Sequence, residues 1–138
     1  MQALARREHS RAELEHKLRT RGCDSAEIAD ALARLHEQGL QSDRRFASAY
    51  AESKARRGYG PLRIQQELRA RGVADAAIGE ALDSTVDAFA DSAESALRKK
   101  FKKAPASTPE RARQTRFLEY RGFAAAHIRQ ALRQFSEQ

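Results

Sequence analysis

A chain of 138 residues with one Cys, no Trp and a third of its side chains charged holds no internal disulfide and no apolar run long enough to cross a membrane. The formal net charge is +7, and it is uneven: residues 98–138 carry eleven Lys or Arg against three acids, residues 61–97 three against seven. Such a split suits a polyanion or a partner with a charge pattern of its own, although solvation alone accounts for any single charge.

Helical spacing gives the elements in order. Ser10 opens the first helix with Glu13 completing a capping box, Leu14 and Leu18 share a face, and Gly22 is the stop. Asp24 and Glu27 form a second box before the stripe Ile28, Ala31, Leu32 and Leu35, which ends at Gly39. Ser42 or Asp43 caps a third helix carrying Phe46, Ala47, Tyr50 and Lys54, closed by Gly58. Gly60-Pro61 starts the fourth helix, Pro being suited to the first helical position. Its apolar face is Ile64 and Leu68, continued by Ile78, Leu82, Val86 and Phe89. Leu97 and Phe101 belong to a sixth helix, nearly continuous with the fifth because no Gly separates them. Lys103–Pro109 reads as a linker. Thr108 caps the seventh helix, Pro109 starts it, and Phe117, Leu118, Ile128, Leu132 and Phe135 form the last stripe. No window alternates with the period of a strand, so the fold class is all-α.

These helices repeat. Leu18-Arg-Thr-Arg-Gly22 returns as Leu68-Arg-Ala-Arg-Gly72 and as Leu118-Glu-Tyr-Arg-Gly122, a step of 50 residues both times. Ala26, Ile28, Ala31 and Leu32 recur in step as Ala76, Ile78, Ala81 and Leu82, then as Ala126, Ile128, Ala131 and Leu132. Three-helix units are therefore expected over 1–58, with a short N-terminal lead, and over 59–104. A partial unit of two helices is expected over 105–138, since the sequence ends before a ninth. Units of this size share apolar faces with their neighbours. The expectation is an elongated, curved array that works through its outer surface.

Little points to chemistry. Cys23 stands where Val73 and Phe123 stand in the other copies, which marks a small core residue and not a nucleophile. His9, His16, His36 and His127 lack ligand spacing and read as surface residues. Capping and ion pairing explain carboxylates such as Glu13, Glu15, Asp24, Glu27 and Asp30. Gly58-Tyr-Gly60 leads into Pro61 and is no phosphate loop. The expected protein is not an enzyme, with no catalytic residue, metal, cofactor or small-molecule substrate. The start, Met1-Gln-Ala-Leu-Ala-Arg-Arg7, lacks the apolar stretch of a signal peptide, and the cytoplasm is the expected compartment.

Basic residues carry the binding candidates. Arg21, Arg71 and Arg121 lie in the last turn before each repeated Gly, where they can bond free carbonyls and offset the helix dipole, with partner contact as the second reading. Arg56, Arg57 and Arg63 surround Tyr59 at a tight junction. They either compensate a helix end or grip phosphates or carboxylates. In Arg98-Lys-Lys-Phe-Lys-Lys103, Leu97 and Phe101 facing inward leave Lys99, Lys100, Lys102 and Lys103 fanning outward, with Arg111, Arg113 and Arg116 just beyond. That run is either a solvated helix end or a phosphate stripe without sequence readout. The candidate partner-binding set is Arg56, Arg57, Tyr59, Arg63, Lys99, Lys100, Lys102, Lys103, Arg113 and Arg116.

Four segments resemble the bacterial regulatory family RecX over nearly the whole chain. They are Arg6-Arg-Glu-His-Ser-Arg-Ala-Glu-Leu-Glu-His-Lys-Leu18, Asp43-Arg-Arg-Phe-Ala47, Arg56-Arg-Gly-Tyr-Gly-Pro-Leu-Arg-Ile-Gln-Gln-Glu-Leu-Arg-Ala-Arg-Gly72 and Arg116-Phe-Leu-Glu-Tyr-Arg-Gly-Phe123. The resemblance implies tandem three-helix repeats and a role in modulating RecA, the recombinase that forms filaments on single-stranded DNA. It implies binding in the filament groove and suppression of ATPase, strand exchange and coprotease functions, with direct contact to DNA in some members. Family members often carry further residues before the Ala3-Leu-Ala-Arg-Arg7 stretch, completing an initial helix, which implies a truncated start here. The leading expectation is a monomeric, non-enzymatic inhibitor of RecA. The runner-up is a DNA-binding protein whose units act like a helix-turn-helix and compete for the strand, although no helix shows a base-reading set of Asn, Gln and Arg.

Overall fold

Local capping chemistry sets where the first, second, third and seventh helices in chain order begin. In the computed structural model, which describes residues 8–137, the Ser10 hydroxyl accepts from the Glu13 N–H while the Ser10 N–H donates to the Glu13 carboxylate, both at 3.1 Å. This box opens α1 (Arg11–Thr20). Asp24 and Glu27 do the same at 2.8 and 3.0 Å for α2 (Ser25–Glu37). Ser42 is the cap of α3 (Asp43–Arg56), and Gly60-Pro61 begins α4 (Pro61–Ala70). Only Thr85 separates α5 (Asp75–Ser84) from α6 (Val86–Lys100). The chain continues through α7 (Thr108–Tyr120) and α8 (Ala125–Ser136). The described residues form eight helices and no strand. The N-terminal lead, including Arg6 and Arg7 of the first resembling segment, lies outside them.

Several expectations need correction. Ser107, not Thr108, caps α7: its hydroxyl accepts from the Glu110 N–H at 3.3 Å, and the Ala106 N–H donates to Glu110 at 2.6 Å. Two adjacent hydroxyls look alike in sequence, and Pro109 fits either register because the first-turn N–H groups have no partner within the helix. Phe101 leaves α6 with extended backbone, so Lys102 and Lys103 lie in a loop. Its ring meets Phe117 edge-on at 5.6 Å. Val86 is exposed, because the break at Thr85 shifts the helical phase and buries Thr85 instead. Two histidines are not on the surface. His9 is 2% exposed, with Lys17 Nζ 3.1 Å from its Nε2. His127 is half-buried with its ring 5.7 Å from that of Phe89, and burial pushes its pKa down.

Helix ends follow one pattern. Gly22, Gly72 and Gly122 take positive φ, and the next residue donates back to the start of the last turn. The pairs are Cys23 to Leu18, Val73 to Leu68 and Phe123 to Leu118, each at 3.1 Å. Half-buried Cys23 then packs beside Leu14, Ile28, Leu32 and Leu35, a cluster confined to α1 and α2. A second, larger cluster runs unbroken from Phe46 in α3 to Phe135 in α8.

Packing groups the helices one step out of phase with the sequence units. α3 packs on α4 and α5, and α6 packs on α7 and α8. The boundaries expected at 58/59 and 104/105 thus fall inside packed triplets. A repeat has a period but no intrinsic starting point, and burial decides which three helices close on one another.

The joint between units recurs with the 50-residue step. Ser10 Oγ donates to the Arg71 carbonyl at 2.8 Å, seating the start of α1 on the α4–α5 turn. Gly60 and Leu62 donate their N–H groups to the carbonyls of Arg121 and Gly122 at 2.8 and 2.9 Å, seating the start of α4 on the α7–α8 turn. The approach is close enough that a Cβ at Gly122 would lie 2.4 Å from Arg63 Cβ, whereas one at Gly22 would meet nothing within 4 Å.

Candidate partner-binding face

Tyr59 follows the Gly58 stop and is fixed by its N–H bond to the Lys54 carbonyl at 3.1 Å. Three cations converge on its ring: Lys54 Nζ at 4.8 Å, the Arg63 guanidinium at 4.5 Å and that of Arg121 at 4.9 Å from the centroid. They come from α3, from α4 and from the end of α7. Arg121 also donates to the Arg57 carbonyl at 3.4 Å, so its helix-end role is played on α3 and not on its own helix. Arg71 bonds its own Glu67 carbonyl at 3.1 Å, as the sequence suggests.

Glu67 sits at the centre. Its carboxylate accepts from Tyr50 Oη at 2.5 Å and Arg63 Nε at 3.0 Å, with Lys54 Nζ at 3.3 Å. Arg71 stacks on Tyr50 at 4.8 Å and approaches Glu13 at 3.8 Å, which links α1 to the network. Burial and then the bond to Glu67 push the Tyr50 phenol up to about 12. Burial pushes Glu67 up, but hydrogen bonds from Tyr50, Arg63 and Lys54 outweigh it, and the carboxyl lies below its ordinary value of 4.5.

Both shifts stabilise the fold near neutral pH, and they are lost in opposite directions of pH. A raised phenol stabilises the fold below its ordinary pKa of 10.0, and that contribution is lost as pH rises through about 12. A lowered carboxyl stabilises above 4.5, and that contribution is lost as pH falls through its depressed value. Chemical denaturation across pH is expected to show both losses. Tyr50→Phe should abolish the alkaline one, and an unchanged alkaline profile would exclude the Tyr50–Glu67 bond as its source.

The remaining candidates fall into two groups. Arg56 and Arg57, exposed at the end of α3, line a cleft of about 260 Å³ with Lys99 of α6 opposite and Asp91, Ser92 and Ser95 between. Ser92 Oγ donates to the Ala55 carbonyl at 2.8 Å and pins the two helices there. Lys102 and Lys103 share a hollow of about 220 Å³ with Arg113 and Glu110. Gln114 Nε2 donates to the Lys103 carbonyl at 3.1 Å and ties that loop to α7. Arg113, Arg116 and Tyr120 then follow at helical spacing along α7, all exposed. Tyr120 is 78% exposed, and the Arg63 guanidinium lies 5.8 Å from its ring. A basic and aromatic ridge therefore runs from the 102–103 loop along α7 to Tyr59. Lys100 is exposed but joins neither group.

Sequence reasoning missed Lys54, Glu67 and Tyr120 as members of this face, and gave Arg121 partner contact only as a second reading. Tyr120 offered a signal: Thr20 and Ala70 hold the equivalent positions. Among the described residues no three metal-ligating side chains cluster, and no helix is long and apolar enough to cross a membrane. The arrangement suits docking of carboxylates or phosphates on a rigid surface.

Family models described as the first, second and third three-helix domains of RecX match residues 1–35, 42–82 and 88–132. The second and third begin near α3 and α6, in phase with the packing. The chain is 46% identical over 134 residues to the regulatory protein RecX of Ectopseudomonas mendocina, covering 96% of this chain and 89% of that one. It is 45% identical over 132 residues to that of Halorhodospira halophila, covering 95% and 82%. The crystal structure of RecX from Lactobacillus salivarius superposes with a TM-score of 0.85 at 19% identity, over 97% of this chain and 90% of that one, a likeness of fold. Matched in sequence by all three domain models and by relatives over almost its full length, the chain belongs to the RecX family of regulatory proteins.

Proposed function

We propose that the protein is a cytoplasmic, monomeric negative regulator of RecA that binds the RecA–single-stranded DNA filament and inhibits its ATPase, strand exchange and coprotease activities. The observation that supports this most is the ridge of Lys102, Lys103, Arg113, Arg116, Tyr120, Arg63 and Tyr59, which crosses from one packed triplet to the next. Cations carried on packed helices, and on a loop tied to α7 through the Lys103 carbonyl, present a spaced array to a partner that repeats along its length. Inhibition then comes from bridging neighbouring RecA protomers and needs no chemistry of its own.

A second reading, competition for naked single strands, draws on Tyr120, an exposed ring beside Arg63 and Arg116 that could stack on a base. A titration separates the two. Inhibition of RecA ATPase on short single strands at far below saturation of the DNA supports filament binding. Inhibition only at strand saturation, fading with salt as the DNA affinity does, supports competition.

Lys103, Arg113 and Arg116 are the informative charges to reverse, because Arg63 is tied to Glu67. Their triple change to Glu is expected to weaken inhibition roughly ten- to a hundredfold. Full inhibition by the folded triple variant would remove the ridge from this reading.

A further inference from the structure

One acid of the face, Glu67, is held by two cations at once. Both Glu67 oxygens are engaged, one by Tyr50 and Lys54 and the other by Arg63, and its side chain is 22% exposed. It therefore offers little to a partner directly. The fold does not require a carboxylate at this place in the repeat: the equivalent residues are Lys17 in the first unit and Phe117 in the third. What Glu67 does locally is hold together two cations that repel each other and would otherwise sample many rotamers. Arg121 adds a third positive charge at the same ring.

We propose that Glu67 is the positioning residue of the partner-binding face, holding Lys54 and Arg63 against the Tyr59 ring so that the face meets its anionic partner already formed. The proposal rests on the filament-binding reading, and it makes a prediction opposite in sign to simple electrostatics. Glu67→Gln raises the positive charge of the face by one, which by itself should tighten binding to an anionic surface. If Glu67 positions the cations, binding weakens instead.

The test measures affinity for a RecA filament on a thymidine oligonucleotide for the wild-type chain, Glu67→Gln, Arg63→Gln and the double variant, with helical content and melting checked for each. Expected is a loss of about fivefold for Glu67→Gln despite its higher charge, and a smaller effect of the same change in the Arg63→Gln background. Binding by Glu67→Gln as tight as wild type, or tighter, overturns the proposal and leaves the filament reading standing. Absence of wild-type binding overturns both. Should Glu67→Gln fail to fold, Glu67→Asp keeps the charge and withdraws the carboxylate by one methylene. Weaker binding then supports positioning, and unchanged binding overturns it.

Discussion

Gly122→Ala is expected to destabilise the protein by about 2–4 kcal/mol, and Gly22→Ala by only about 1 kcal/mol. The two glycines close the same repeated motif and have nearly the same backbone, with φ of +94° and +91°. Each substitution therefore bears the same left-handed penalty. The difference lies in the surroundings. At Gly122 the new methyl would fall 2.4 Å from Arg63 Cβ and 2.6 Å from Arg63 N, atoms of a helix that cannot swing aside as a side-chain tip can. Relief requires parting the start of α4 from the α7–α8 turn, with loss of the Gly60 and Leu62 hydrogen bonds. At Gly22 the methyl enters open space. Denaturant midpoints of the two variants measure this directly, and equal losses would mean that the joint yields freely.

Leu32→Ala and Leu132→Ala form a second matched pair. Both residues are 1% exposed and occupy the same place in the repeat. Truncation of either should cost about 2–5 kcal/mol. The consequences are expected to differ, because Leu32 belongs to the small cluster of α1 and α2 and Leu132 to the cluster that spans α3 to α8. Leu32→Ala should release α1 and α2 in a separate early transition while α3–α8 keep their amide protection. Leu132→Ala should lower the main transition. Hydrogen exchange read helix by helix decides the matter, and a single transition shared by all eight helices in Leu32→Ala would show that the clusters unfold as one.

The features legible in sequence are those set by neighbours along the chain. Ser10 with Glu13, Asp24 with Glu27 and the Gly stops depend on residues within one turn, and all appear in the structure where their spacing puts them. Concentrations of basic side chains were visible where they form a run, as from Arg56 to Arg63 and from Lys99 to Lys103. What could not be read depends on pairing across the chain. Arg121 reaches Tyr59 and the Arg57 carbonyl from more than a full repeat away, and no local pattern announces such a partner. The phase of the triplets was hidden for the same reason, since Leu97 and Phe101 carry similar apolar patterns whether their helix closes on α5 or on α8. His9 precedes the first helix, where no periodicity assigns a face.

The junction between α4 and the α7–α8 turn is made by main-chain atoms, which among substitutions only a proline at Gly60 or Leu62 would remove. Its one demand on the genetic message is a residue without a side chain at Gly60 and at Gly122. Mutation is therefore free to rewrite most outward side chains around this junction while the angle between these two units stays the same, whereas the joint at α1 depends on the Ser10 hydroxyl. A scaffold of this kind can follow a changing partner over long divergence, because recognition and architecture are encoded by different atoms.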